Sequence, residues 1–83
     1  MTDSDAIRAF EAGLTNSGVG RIQRREVRSD YYQWDWSVGM GEHELQLHSA
    51  ASFQLIDQAP VEALKAEGLR HSREACALYW SSQ

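Results

Sequence analysis

Between residues 31 and 40 the sequence YYQWDWSVGM sets Tyr32, Trp34, Trp36, Val38 and Met40 on one parity and Tyr31, Gln33, Asp35 and Ser37 on the other. Successive side chains of a strand point to opposite faces, so a period of two predicts a half-buried β-strand with both indoles turned inward. Gly39 and Gly41 then supply a turn, and Leu45 and Leu47 resume the core-facing parity opposite Glu42, Glu44, Gln46 and His48. The stretch therefore predicts an antiparallel hairpin whose Trp and Leu side chains pair across the strands on its buried face.

Elements on either side must cover that face. Asp3 or Ser4 can cap a first helix along which Ile7, Phe10 and Leu14 recur at spacings of three and four, and Asn16, Ser17, Gly18 and Gly20 end it. Arg21 to Arg28 reads as a strand by its position, although Ile22 and Val27 fall on opposite parities; a bulge reconciles them, or the arginines mark an edge that resists pairing. Phe53, Leu55 and Ile56, within residues 50–57, suit a brief fourth strand or an irregular packed turn. Pro60 fits the first turn of a helix, where its missing amide has no partner to lose, and Val61, Leu64, Leu69, Ala75, Cys76, Tyr79 and Trp80 give that helix a broad apolar surface. Gly68 either bends it or splits it. The expected fold is α+β: one domain over residues 1–83, in the order α-β-β-β-(β)-α, with an antiparallel three- or four-stranded sheet and its helices packed on one face. The other sheet face is left open to water.

Catalytic and cofactor chemistry find little support. Cys76, the sole cysteine, excludes a disulfide framework and falls among apolar residues, where an inert thiol belongs. His43 and His48 are five apart on one strand and point to opposite faces, while His71 and Cys76 are poorly aligned on a helix. No GxSxG elbow, GxGxxG or GxxxxGK pattern occurs, so neither an enzyme nor a bound cofactor or metal is expected. The acidic N-terminus lacks the basic start and apolar run of a secretory signal, and no apolar stretch approaches the ~20 residues of a membrane helix. A cytoplasmic protein without membrane association is expected.

Charge is unevenly distributed. Of the eight Lys and Arg residues, Arg21, Arg24, Arg25 and Arg28 share one segment, whereas residues 31–60 hold Asp35, Glu42, Glu44 and Asp57 and no cation. Simple alternation places Arg24 and Arg28 on one side of the strand and Arg21 and Arg25 on the other, which divides any phosphate-binding surface. The element order resembles that of the double-stranded RNA-binding domain, a family that touches phosphates with a lysine-rich start to its last helix. The matching stretch here is APVEALKAEG, with Glu62 near its beginning, so nucleic acid is disfavoured as a partner.

A protein partner with a basic surface is the leading expectation. Its contact surface would comprise Tyr31, Gln33, Asp35, Glu42, Glu44 and Asp57, with Met40 adding apolar contact. In size and charge alone the chain is similar to small acidic bacterial and phage inhibitors, including anti-CRISPR and immunity proteins, a resemblance that implies steric or electrostatic blockade. A homodimer closed through the arginine strand or the helix ends is the structural alternative.

Overall fold

Ser4 opens helix α1 (Asp5–Thr15) by accepting a hydrogen bond on Oγ from the Ile7 amide at 3.2 Å, and Asn16, left-handed at φ 45°, closes it. The computed structural model describes residues 4–39 and 41–81, so the other candidate cap, Asp3, and the proposed contact residue Met40 lie outside the described residues. Three strands follow: β1 (Gly20–Val27), β2 (Tyr31–Val38) and β3 (Leu45–Ser52). They form one antiparallel sheet in the order β1-β2-β3. Gly39, at φ 95°, leaves β2, and a 3-10 turn (Gly41–His43) leads into β3.

No fourth strand forms in the segment 50–57. Residues 50–52 continue β3, and the rest enters helix α2 (Phe53–Gln58) because Ser52 Oγ accepts from the Leu55 amide at 3.0 Å, a cap that ends the extended backbone. Ala59 is forced back to an extended conformation by the proline that follows it. Helix α3 (Val61–Ser81) then runs to the end of the described chain. The architecture is thus a small α+β domain in the order α-β-β-β-α-α.

All three helices meet the indole face of the sheet. The Phe10 ring of α1 lies 4.6 Å from the Trp34 ring, Phe53 of α2 sits edge-on to Tyr32 at 4.9 Å, and His71 of α3 reaches Ser49 of β3. Phe10, Leu14, Trp34, Trp36, Val38 and Leu64 form the centre of the core, with Trp34 completely shielded from water. Burying side chains of this size contributes roughly 1.5–3 kcal/mol each relative to exposure.

Gly68 neither bends nor splits α3, which is continuous through it. It serves the crossing of α1 and α3, where the two backbones touch. A methyl group there would collide with the Phe10 carbonyl oxygen, and one at Gly13 on the facing helix would collide with the Lys65 carbonyl. Ser72, one turn beyond Gly68 on the same buried stripe, is fully buried, and its Oγ has no hydrogen-bond partner among the described residues. An unsatisfied hydroxyl costs about 1–3 kcal/mol, and alanine is also the better helix former. Ser72→Ala should therefore raise the urea unfolding free energy by about 1 kcal/mol without changing the slope.

Candidate interaction face

The β1–β2 register shifts between Ile22 and Arg24: Ile22 pairs with Trp36, yet Arg24 pairs with Asp35 and Arg25 with Trp34. Gln23 is the extra residue of a bulge, which returns Ile22 and Val27 to one face as their opposite parities require. The same shift overturns the simple division of the arginines. Arg21 and Arg24 both project from the outer face, and Arg28 reaches it from the turn after β1. Arg25 turns inward, and its Nη1 donates to Glu11 Oε2 of α1 at 3.1 Å.

Outer-face carboxylates consequently stand beside cations. Arg21 pairs with Glu44 at 2.7 Å, while Arg24 and Arg28 both pair with Glu26, at 2.6 and 2.5 Å. Asp35 Oδ1 lies 2.7 Å from His48 Nδ1 and accepts from Gln33 Nε2 at 3.3 Å; Gln46 Nε2 donates to Glu44 Oε1 at 2.6 Å. Gln23 covers Ser37, the one outer-face residue of β2 that is fully buried, with Nε2 3.4 Å from its Oγ. The face is polar and ordered, with its charges interleaved rather than uniformly acidic.

The candidate contact residues do not all gather there. Tyr31, Gln33 and Asp35 share the outer face of β2, but Tyr31 is half-buried against Ser52 rather than a free aromatic anchor. Glu44 adjoins the face through Arg21. Glu42 is exposed on the 3-10 turn at one end and makes no ion pair among the described residues. Asp57 belongs to α2, beyond the far end of β3, so the length of an eight-residue strand, roughly 25 Å, separates it from Glu42.

Hydrogen bonds from His48, then from Gln33, hold the Asp35 carboxyl below its ordinary value of 3.8. A depressed folded value means that this contribution to stability is complete above 3.8 and is lost as the pH falls through the lowered folded value. His48→Ala should move the NMR-detected Asp35 titration upward and flatten the acid limb of stability; an unmoved titration would show that the contact is not populated.

A second array ties α3 to the sheet. Trp36 Nε1 donates to Ser49 Oγ at 2.8 Å, His71 Nδ1 lies 2.9 Å from the same oxygen, and His71 Nε2 lies 3.3 Å from Glu67 Oε1. Arg70 Nη2, always a donor, also lies 3.2 Å from His71 Nε2, so either Nε2 accepts from Arg70 while Nδ1–H donates to Ser49 Oγ, or Nε2–H donates to Glu67 while the Ser49 hydroxyl donates to Nδ1. Arg70 hydrogen-bonds Glu67 and holds its carboxyl below the usual range. The sequence singled out His71 only as poorly aligned with Cys76 for metal binding. The Glu67–His71 spacing of four, with Arg70 between them, was the available signal.

At the end of the domain, Val19, Arg21, Val38, Gly39, Cys76 and Trp80 line an open groove of about 430 Å³. Trp80 is 72% exposed there, and Cys76 is half-buried at the groove wall. No group of three or more His, Cys, Asp or Glu is placed to hold a metal ion among the described residues, and no helix among them is long and apolar enough to cross a membrane. No protein-family model matches the chain, and comparison with curated proteins and with solved structures returned no match.

Proposed function

We propose that this chain is a cytoplasmic protein-binding module, without catalytic activity of its own, that covers a basic surface of a partner protein with the outer face of its sheet. One observation carries the reading. All three helices pack on the indole face, leaving the outer face of three eight-residue strands uncovered, with its polar side chains already fixed by ion pairs and hydrogen bonds. A surface ordered before contact loses less side-chain entropy on binding. The chain's net charge of −4 steers it toward a cationic partner, and the interleaved charges on the face set register. Glu42, exposed at the edge and without an ion pair among the described residues, is the carboxylate best placed to meet a partner's Lys or Arg.

The test is a partner recovered on tagged protein and then purified. Glu42→Lys should slow association and weaken its salt dependence, while Gln33→Ala should accelerate dissociation. If both variants match the unaltered chain in rate and salt response, the outer face is not the contact.

The bulge supplies a specific observation for nucleic acid as a second reading, because it brings Arg21, Arg24 and Arg28 to one face. Phosphates would have to displace Glu26 and Glu44 from these cations, which opposes binding. Single-stranded RNA retained by the unaltered chain, with a log-log salt slope of about −2 for three phosphate contacts, would favour this reading.

A further inference from the structure

The two edges of the sheet are built differently. β1 carries a bulge at Gln23 and the residues Arg21, Arg24, Arg25 and Glu26, devices that keep a strand edge from pairing with another chain. β3 has none of them. Its sequence LQLHSAAS contains no Lys, Arg, Asp, Glu, Pro or Gly, and its pairing with β2 is regular over all eight residues.

Backbone polarity follows from the ladder. The Phe53 amide donates to the Asp30 carbonyl at 3.0 Å, which fixes residues 45, 47, 49 and 51 as those bonded toward β2. The amides and carbonyls of Gln46, His48 and Ala50 therefore project from the open side of β3. All three residues are exposed.

We infer that β3 is a self-pairing edge: two copies of this chain join β3 to β3 antiparallel about a two-fold axis, giving one continuous six-stranded sheet. Three observations select a second copy as the occupant. An antiparallel β3 pair sets no Lys, Arg, Asp or Glu opposite its like, whereas β1 pairing with itself would bring arginines together. On the indole side, Leu47 of β3 and Leu78 of α3 line one shallow hollow beside this edge together with His48, His71 and Glu74, and Leu78, 58% exposed, gives each copy an apolar side chain that the two-fold axis brings toward its mate. The bulged, arginine-bearing β1 edges then form the outer margins of the dimer. Assembly closes at two copies instead of growing into a fibre.

This surface is the rim of the sheet, distinct from its outer face, so the dimer stands or falls independently of the proposed protein contact. Sedimentation equilibrium of the full chain from micromolar to millimolar concentration should show a monomer–dimer equilibrium. In hydrogen exchange the Gln46, His48 and Ala50 amides should become protected as concentration rises. Ala50→Lys, at an exposed site opposite Gln33 on the outer face, adds a cation to each copy at the joint and should weaken the dimer by roughly 100-fold. Val27→Lys on β1 should leave it intact.

Circular dichroism establishes that each variant is folded. Should Ala50→Lys fail to fold, exchange of the unaltered chain decides the matter alone. Rapid, concentration-independent exchange at these amides overturns the inference, as does a dimer indifferent to Ala50→Lys. A monomer whose β3 amides become protected only on adding a different protein would assign the edge to strand addition by that protein and equally refute self-pairing.

Discussion

Alanine at Gly68 is expected to destabilise the fold by about 3 kcal/mol, although the same change in an open stretch of helix would stabilise it by about 1 kcal/mol. The sign turns on what the new methyl meets. Its nearest neighbours are the Phe10 carbonyl oxygen, the Leu14 amide nitrogen and the Gly13 Cα, all backbone atoms of α1. A flexible side chain could rotate away, but backbone in a hydrogen-bonded helix cannot, so α1 and α3 must separate. That separation loosens Phe10 and Leu14 against Trp34 and Leu64, the most deeply buried part of the core. Ala66→Gly, at an exposed position on the same helix, provides the propensity control and should cost about 1 kcal/mol. Gly13→Ala should resemble Gly68→Ala, and the two together should cost less than their sum, because the first change already opens the shared contact. Urea titrations followed by Trp fluorescence measure all four. If Gly68→Ala proves more stable than the parent chain, the helices are not in backbone contact.

This crossing also marks the limit of what the sequence revealed. The hairpin was legible because Trp34 and Trp36 alternate with Gln33 and Asp35, and strand pleating converts that local pattern directly into burial. Gly68 was not, since a glycine that breaks a helix and one that admits another helix look alike until the second helix is in place. The segment 53–58 was ambiguous for a related reason: Phe53, Leu55 and Ile56 are too few to establish a period, and the decisive residue was Ser52, whose hydroxyl caps α2. At the candidate face, the carboxylates could be named individually but their company could not. One inserted residue, Gln23, moved Arg21 and Arg24 to the same side and set cations beside Glu26, Asp35 and Glu44. Register is a property of two strands, so charge read along one of them misses it.

Glu11→Ala should cost about 2 kcal/mol, more than expected for a half-exposed residue on a helix surface. Glu11 Oε2 accepts from Trp34 Nε1 at 2.7 Å and from Arg25 Nη1 at 3.1 Å, so one carboxylate joins α1 to the inner faces of β2 and β1. Alanine gains a few tenths of a kcal/mol in helix propensity but strips the indole N–H of its acceptor, and Trp34 is 0% exposed. Loss of a partner at a buried donor carries a penalty of about 1–3 kcal/mol, whereas removing both partners is far less costly. A double-mutant cycle separates these cases. Trp34→Phe alone loses the indole's packing as well as its bond. Added to Glu11→Ala, it should cost about 1 kcal/mol less than it does in the parent, because no stranded donor remains to be created. Glu11→Gln, which retains an acceptor oxygen, should recover roughly half of the alanine loss. A coupling energy near zero would mean that the carboxylate does not hold the indole, leaving Glu11 joined to the sheet through Arg25 of β1.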